Sequence, residues 1–491
     1  MKQHFLFQSL FIGLLLTLLW GCSDETITSV TDSEKQSERL TVIVTDGGYI
    51  ASAGEDPLTR TKEEDYKTTF TAGDKIGLYA VKNNAIITGC NNVCLTLAAD
   101  GKWTPPTGTE IFYEGADATC YAYYPYQPLL AGALVPSATD ADGFFANVVA
   151  QWTPATDQGN YAKYTASDLM TGKGTVSGTP GSTHTLSFTF THRMALMVMD
   201  LPKAKYALST DANYTWLADA LDTEFNGFSP YHLDAGLYRY LIKPSQTNLF
   251  LSGSYTNASS TTNEWGITPT IAPGNYKSFK VDNGNTVNNV THTLAVGDFY
   301  MKNGALVAKN KAELTEEEQT NCIGIVYKVG AGNGDSLSDY GGKLTTIHGY
   351  VLALQQSWQV WGDASRIFVT GDGGSHFGYK GTQILLTAAA TESKSFPACM
   401  YCVNYKPATP TGITSGWYYP ATAQMRECAI NANSNGMNTQ LAKISGAASL
   451  SGTYSSCSDV SASQCWGARV GNGSYFYLGK GSNLTRAVFT F

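Results

Sequence analysis

Apolar and polar residues alternate with a period of two along much of this 491-residue chain. In the clearest run, Leu186, Phe188 and Phe190 are separated by Ser or Thr, and the alternation resumes at Met194. A period of two over this length indicates half-buried antiparallel strands. Shorter runs of the same kind recur between Gly, Pro, Asn and Ser residues, which are typical of turns. The pattern therefore predicts a mainly β protein.

The length and the spacing of these runs predict more than one domain. About 150 residues per domain suggests roughly three domains for this chain. Residues 40–200 and 201–290 carry regularly spaced strands with few helical stretches, so each is predicted to form a β-sandwich. A polar segment at 283–289 precedes the last part, 291–491, which has a different pattern.

The beginning of the chain is predicted to be an export signal. Lys2 precedes an apolar run at 5–20, which is shorter than the roughly 20 residues that a spanning helix needs. A basic start, an apolar middle and a small residue before Cys22 predict a secretory signal peptide at 1–21. The polar residues 22–39 lack apolar periodicity and are predicted to be a flexible tether.

Cys22 is the predicted lipidation site. Residues 19–22, Leu-Trp-Gly-Cys, resemble the lipobox of bacterial lipoproteins, in which the cysteine is acylated before cleavage. Ser23, Asp24 and Glu25 are similar to an acidic tag that routes lipoproteins to the outer face of the outer membrane. The resemblance implies an exported precursor that is anchored by palmitate or a related acyl chain; an ordinary signal peptide that contains a cysteine is the alternative.

Composition narrows the function. Charged residues make up only 15% of the chain, whereas Gly and Tyr are abundant at 49 and 29 copies, which suits tight turns and aromatic surfaces. The net charge of -8 disfavours nucleic-acid binding, which needs a basic surface. No G-x-S-x-G, Walker or H-E-x-x-H motif occurs, so the sequence does not predict an enzyme.

Nine cysteines follow Cys22, and export would expose them to an oxidising compartment. Cys457 and Cys465 bracket a short polar loop and are predicted to form a disulfide. Cys399 and Cys402 have redox or half-zinc-site spacing, but without a second such pair we expect a structural role. We predict no metal and no cofactor.

The sequence predicts one early strand that is followed by an exposed loop. The β-branched run at 40–45 predicts a strand in which Leu40, Val42 and Val44 share one face. Residues 55–67 are charged and rich in turn formers, which predicts an exposed loop before the next strand.

Six segments together are similar to the fimbrillin family of pilins from anaerobic Gram-negative bacteria. In chain order they are TRTKEEDYKTTFTAGDKIGLYAV, AYYPY, SDLM, FTHRMALMVMD, YRYLIKP and APGNYKSFKV. The resemblance covers about 40–290 and implies two transthyretin-like β-sandwich domains in an exported lipoprotein.

The resemblance also implies how such a subunit is assembled. A trypsin-like protease would cut after Arg60, leaving Thr61 as the new N-terminus, with Lys62 as an alternative site. The first strand, with Leu40 and its neighbours, would then leave a groove for a strand from another pilin subunit. Strand addition of this kind uses unpaired backbone groups at a sheet edge.

The last part of the chain is similar to C-type-lectin-like domains, through GWYYPATAQM and the terminal LTRAVFTF. This resemblance implies an α+β fold, with 348–357 and 421–432 as short helices. Five aromatic residues are candidates for an adhesive surface, with burial in the core as the alternative for most: Trp358, Trp361, Trp417, Tyr418 and Tyr419. The triplets that bind calcium in lectins of this fold are absent, and His348 and His376 are predicted to be structural.

These observations predict a fimbrial tip subunit. A chain whose last strand, 486–491, completes its own sheet could accept a strand but not donate one, and would therefore end a polymer. Its predicted partners are a stalk pilin, an unidentified host or bacterial surface ligand and, before processing, the outer membrane. The alternative is a surface lipoprotein that binds glycan or host protein and never polymerises.

Overall fold

The computed structural model describes residues 39–53, 66–179, 183–244, 246, 248–256, 261–284, 287–371 and 374–491. These residues form a mainly β protein with several sheets, as predicted. Eight short or medium helices accompany the sheets in the described part of the chain: Ala141–Phe144, Ala146–Gln151, Tyr161–Ser167, Glu316–Asn321, Gly378–Glu392, Pro397–Val403, Thr422–Ser434 and Met437–Leu441.

The first ten strands build the N-terminal unit, apart from β2. They are β1 (Leu40–Asp46), β2 (Ile50–Ala51), β3 (Lys75–Lys82), β4 (Ala85–Ile86), β5 (Val93–Leu97), β6 (Trp103–Thr104), β7 (Thr119–Tyr124), β8 (Met170–Lys173), β9 (Thr175–Ser177) and β10 (His184–His192). The sheet runs β1-β6-β5-β3-β7-β8-β10, and β10 pairs back with β1. The N-terminal unit is therefore a small closed barrel and not the β-sandwich that the sequence predicted.

The next ten strands form three sheets. They are β11 (Ala195–Asp200), β12 (Lys203–Leu208), β13 (Asp211–Asp219), β14 (Leu221–Phe225), β15 (Tyr231–Asp234), β16 (Leu237–Ile242), β17 (Leu251–Thr256), β18 (Thr262–Ile267), β19 (Asn275–Lys280) and β20 (Val287–His292). Their orders are β15-β16-β11-β19-β2, β13-β12-β20 and β14-β17-β18. The sequence placed β11 in the first domain by ending that domain at residue 200, but β11 pairs only with strands of this second unit.

The apolar run of β11 has a tertiary explanation. Leu196 and Val198 on one face pack into the core that lies against the barrel, among Tyr121 and Phe144. Met197 and the other odd-numbered residues pack into a separate core on the opposite face. A strand buried on both faces needs apolar residues at every position, which local periodicity alone does not assign to either domain.

The last ten strands form two five-stranded sheets. They are β21 (Phe299–Met301), β22 (Leu306–Val307), β23 (Cys322–Val329), β24 (Gly349–Ala353), β25 (Ser357–Val360), β26 (Thr453–Asp459), β27 (Gln464–Arg469), β28 (Tyr475–Gly479), β29 (Ser482–Thr485) and β30 (Val488–Thr490). Their orders are β22-β21-β23-β24-β30 and β25-β29-β26-β27-β28. This unit also contains the two longest described helices, Gly378–Glu392 and Thr422–Ser434.

One of the two helices predicted in this unit is confirmed. The segment 421–432 falls on the helix Thr422–Ser434. The prediction for 348–357 was wrong, because this segment contains the strand β24, which pairs with both β23 and β30 and is buried along its whole length. Its nearly continuous apolar run is typical of a central strand as well as of a buried helix.

The C-terminal unit packs directly on the second unit. Leu208 and Trp216, from β12 and β13, belong to the same core as the C-terminal sheets. The hydroxyl groups of Tyr214 and Tyr300 lie 2.7 Å apart across this contact. No helix among the described residues has the length and apolar character to cross a membrane.

Candidate functional site

The first strand fills a groove in the barrel wall. β1 pairs in parallel with β10 over seven residues, from Leu40 opposite His184 to Asp46 opposite Phe190. On its other side β1 makes one ladder pair, between Val42 and Trp103 of β6, and the Leu40 N–H donates to the Ile111 carbonyl at 3.0 Å. The predicted strand is therefore present, and one long ladder holds most of it.

The inward side chains of β1 complete the barrel core. Val42 is only 3% exposed, and Leu40 and Val44 are half-buried against the same cluster. Leu186 and Phe188 of β10 lie in that cluster with almost no exposure. Fully burying a Val or Leu side chain contributes roughly 1.5–3 kcal/mol, so the three residues together contribute about 4–6 kcal/mol. Loss of β1 would expose this core to water.

Loss of β1 would also free a complete sheet edge. The opposite edge of β10 is already paired with β8 and β9. Just beyond the ladder, the Gly47 N–H donates to the Phe190 carbonyl at 2.9 Å. The edge that β1 covers is therefore the one edge of β10 that would become available, and an unpaired edge is a template for another strand.

A buried ionic cluster marks the end of β1. The Asp46 carboxylate lies 2.9 Å from His192 Nε2, and the Asp168 carboxylate lies 2.9 Å from Nδ1 of the same ring. The side chains of all three are at most 2% exposed. Tyr49 stacks on the imidazole with 3.8 Å between ring centroids and donates to Asp168 Oδ1 at 2.7 Å. The segment after the first strand is thus tied to the barrel by charge.

Both oxygens of the Asp46 carboxylate are used. Oδ1 accepts from the Gly48 N–H at 2.8 Å, and Oδ2 accepts from the Thr68 N–H at 2.5 Å. Burial lowers the pKa of His192, but the charge of Asp168 and hydrogen bonds to Asp168 and Asp46 outweigh burial and raise it to about 9. Burial raises the pKa of Asp46, but the hydrogen bond and charge of His192 outweigh it, so that pKa is lowered. His192 is therefore an imidazolium held between carboxylates at neutral pH.

The chain then crosses to the second unit. The Ile50 N–H donates to the Gly274 carbonyl at 2.9 Å, and β2 pairs in parallel with β19. The N-terminal segment therefore contributes strands to both units, although β2 is only two residues long.

Several predicted positions lie outside the described residues. These are the lipidation site Cys22, the processing residues Arg60 and Thr61, and the alternative site Lys62. Arg39 lies at the beginning of β1, where it forms an ion pair with Glu110.

Four of the five candidate adhesive aromatics are buried in the core, which is the alternative given for most of them, so the prediction of an adhesive role is wrong for these four. Only Trp358 is exposed, at 68%. Each of the other four directs its polar atom to a partner inside the C-terminal unit, which explains how a large aromatic residue is accommodated in the core. Trp361 Nε1 donates to Ser456 O, Trp417 Nε1 to Pro407 O and Tyr419 OH to Ser455 Oγ, whereas Tyr418 OH lies 2.8 Å from Thr490 Oγ1.

The sequence reasoning missed a different aromatic group on the edge hairpin β27–β28. Trp466 is paired with Tyr477, and their rings meet at 4.8 Å between centroids. Tyr475 contacts the same indole at 5.9 Å, and Tyr475 and Tyr477 are 41% and 62% exposed. The available signal was the spacing of two between Tyr475 and Tyr477, which is the period of a strand.

The predicted disulfide is absent. Cys457 and Cys465 both have free, buried thiols. They lie on paired strands, but the register shifts between Ser455 and Asp459, and Cys465 faces Asp459 rather than Cys457. Sequence proximity across a loop therefore did not bring the two cysteines into opposite positions. Cys399 and Cys402 lie on the helix Pro397–Val403 and are also free and buried.

Each histidine singled out from the sequence lies beside a carboxylate, and burial lowers the pKa of His348. His348 Nε2 lies 3.3 Å from Asp211, and His376 Nε2 lies 3.1 Å from Glu427. Within the described ranges, no group of three His, Cys, Asp or Glu side chains is placed to hold a metal ion.

The strand β30 is hydrogen-bonded on both edges. It pairs with β24 on one side. On the other side, Tyr418 and Val488 exchange backbone hydrogen bonds of 2.8 and 3.1 Å. As predicted, this strand completes the sheet of its own unit.

Comparison with known proteins identifies relatives of this chain. The family model described as fimbrillin-like matches residues 59–293. A protein of Bacteroides ovatus, named "Putative fimbrium tip subunit Fim1C", is 32% identical in an alignment that covers 91% of this chain and 90% of that protein.

Solved structures are also similar. A fimbrial protein from Bacteroides ovatus is 27% identical, with a TM-score of 0.45, and the match covers 93% of this chain and 100% of that one. A cell adhesion protein from Bacteroides uniformis is 16% identical, with a TM-score of 0.29 and coverage of 52% and 94%. The identity and coverage of the tip-subunit relative, together with the family match, show that this chain belongs to the fimbrillin-like family.

Proposed function

We propose that this chain is the tip subunit of a fimbria, in which it accepts a strand from a neighbouring subunit and presents its C-terminal unit for adhesion. The observation that carries the proposal is the geometry of β1, which covers a full edge of β10 but makes only one pair with β6. The name of the Bacteroides ovatus relative, a fimbrium tip subunit, supports the same role.

In this proposal a protease activates the subunit. A cut after Arg60 would separate the segment that carries β1 from the barrel. The strand could then leave, and the edge of β10 with its apolar groove would accept a strand from the stalk pilin. Main-chain hydrogen bonds would supply affinity, and the pockets of Leu40, Val42 and Val44 would supply selectivity.

The same subunit would not donate a strand from β30. Removing that strand would break the pairs on both of its edges and expose a core that includes Val488 and Phe489, each 0% exposed. A subunit that accepts but does not donate ends a polymer, which is the position of a tip.

The C-terminal unit would make the adhesive contact. Its two sheets and two longer helices support a C-type-lectin-like fold. The transthyretin-like type is proposed for the second unit alone, because the first unit is a closed barrel. We propose Trp358, Tyr475 and Tyr477 for contact, because exposed rings offer rigid faces to sugars or proteins, and the half-buried Trp466 supports the last two. Before processing, an acyl chain on Cys22 would hold the precursor at the outer membrane.

Mass spectrometry of the N-terminus of the protein in purified fimbriae tests the activation step. We expect a start at Thr61, and we expect the Arg60→Gln variant to keep its first strand. Lys62→Gln is the matched control and should be processed normally. A start at acylated Cys22 in assembled fimbriae would overturn the proposal in favour of a lipoprotein with a closed groove.

The tip position needs its own measurement. Immunogold labelling of the C-terminal unit on intact fimbriae should mark one end of each filament. Labelling along the length would identify a stalk subunit instead, and labelling only on cells without filaments would favour a non-polymerising adhesin.

A further inference from the structure

We propose that the His192 end of the groove selects an incoming strand that carries a carboxylate two positions after its last inward apolar residue. This inference rests on the strand exchange proposed above and adds the chemistry of the partner. The partner is a pilin strand with three alternating apolar residues followed, at the same spacing, by Asp or Glu.

The position of Asp46 defines this spacing. Leu40, Val42 and Val44 point inward at every second residue, and Asp46 follows Val44 at the same interval. Its carboxylate reaches His192 Nε2, whose ring is completely buried. Asp46 is therefore the fourth inward side chain of β1, and the pocket that it occupies is polar whereas the pockets before it are apolar.

Departure of β1 leaves hydrogen-bond donors without acceptors. The Thr68 N–H and His192 Nε2 both remain with the body of the protein, and both have Asp46 as their acceptor in the intact chain. Asp168 stays bonded to Nδ1 on the far side of the ring. A buried donor without a partner is destabilising, and more so when it is charged. An incoming strand without an acceptor at this point would therefore bind with a penalty.

A carboxylate meets this need better than an amide. In the intact chain Oδ1 accepts from the Gly48 N–H and Oδ2 accepts from the Thr68 N–H, while the imidazole contacts both oxygens. An Asn or Gln would turn an NH₂ group toward one of these donors. Besides Asp46, the imidazole of His192 contacts Asp168 and the ring of Tyr49. Tyr49 leaves with the released segment, whereas Asp168 stays in the barrel.

The acidic residue of the incoming strand would also set the register in which that strand pairs with β10. A slip of one residue turns the apolar side chains outward and is excluded by the hydrophobic core. A slip of two residues keeps the apolar alternation and is not excluded by that core. It would, however, place an apolar side chain against His192 and the Thr68 N–H, and the acid outside the pocket.

Competition on the nicked full chain tests the inference. The protein is cut in the segment after β2, and synthetic peptides with the sequence of residues 39–50 compete with the resident segment, whose displacement is followed by mass spectrometry. We expect the peptide with Asp46→Asn to compete at least tenfold more weakly than the natural peptide. A peptide that exchanges the residues at 44 and 46 should be weakened as strongly.

The outcomes separate this inference from strand exchange itself. Equal competition by the Asp and Asn peptides would overturn the selectivity for a carboxylate and leave strand exchange standing. Failure of every peptide to displace the segment would overturn strand exchange, and this inference with it. In the protein variant His192→Gln, the preference for Asp over Asn should shrink to less than threefold; an undiminished preference would assign the selectivity to another group.

Discussion

The Asp46→Asn substitution in the uncut chain should loosen the first strand. Three donors converge on the carboxylate, at 2.5 Å from the Thr68 N–H, 2.8 Å from the Gly48 N–H and 2.9 Å from His192 Nε2. A hydrogen bond to a charged group contributes roughly 1.5–3 kcal/mol, and Asn keeps one accepting oxygen. We therefore expect the free energy of opening β1 to fall by about 2–4 kcal/mol.

Hydrogen–deuterium exchange measures this opening locally, which matters because unfolding of a chain with several units is not two-state. A loss of 2–4 kcal/mol corresponds to exchange faster by roughly 30- to 900-fold. The increase should be confined to peptides that cover β1 and the edge of β10. Asp100→Asn, an exposed turn position in the same barrel, is the matched control and should change exchange by less than threefold. Unchanged exchange in Asp46→Asn would refute the argument that the cluster holds the strand.

The same measurement should depend on pH in a defined direction. The pKa of His192 is raised from 6.5 to about 9, so its stabilisation is complete below pH 6.5 and is lost as the pH rises through 9. Opening of β1 releases only the part of this stabilisation that Asp46 supplies, because Asp168 stays bonded to Nδ1 of the same ring. The pKa of Asp46 is lowered from 3.8, so its contribution is present above that value and is lost in stronger acid. Tyr49 and Tyr164, which lie nearby, have pKa values raised above 10 by burial and stay protonated.

The first strand should thus be held most firmly between about pH 4 and 6.5. After correction for intrinsic exchange, opening of β1 in the natural chain should increase between pH 6.5 and 9. In Asp46→Asn the increase should be smaller and should end at a lower pH, because His192 loses one of the two carboxylates that raise its pKa. A flat profile in the natural chain would contradict the assignment of a charged His192.

Three further predictions concern the C-terminal unit. Trp417→Ala should lower its free energy of unfolding by about 3–5 kcal/mol, measured by urea denaturation, whereas Trp358→Ala should leave stability within about 0.5 kcal/mol of the natural chain and weaken only adhesion to cells. In the absence of reductant, the thiols of Cys457 and Cys465 should react with a thiol reagent only after the protein is denatured. Failure to react even after denaturation would indicate a disulfide. Lys480→Met should destabilise the unit by about 3–5 kcal/mol, because the buried carboxylate of Asp459, 2.5 Å from Lys480 Nζ, would lose its counter-ion. An unchanged free energy of unfolding in the same urea assay would contradict this.

Much of the local structure follows from the sequence. The β-branched run at 40–45 predicted β1, and the segment 421–432 predicted the helix Thr422–Ser434 to within a few residues. Both signals are local, because the period of apolar residues follows from backbone geometry over a few neighbouring positions. The six fimbrillin-like segments could likewise be recognised from their order along the chain, without knowledge of contacts between distant residues.

The functional site was only half predictable for the same reason. The inward residues of β1 could be read from their spacing, but Asp46 and His192 are 146 positions apart and meet only because β1 pairs in register with β10. The exposure of Trp358 and the burial of Trp361 also depend on what packs over each ring, since both lie in the same short stretch.

The sequence by itself thus determined the mainly β class, the first strand and the membership of the fimbrillin-like family. Tertiary structure alone decided the closure of the barrel, the placement of β11 in the second unit, the free state of Cys457 and Cys465, and the ionic cluster at His192. The physical reason is that periodicity records which side of an element is apolar, whereas pairing, register and burial depend on elements that are far away along the chain.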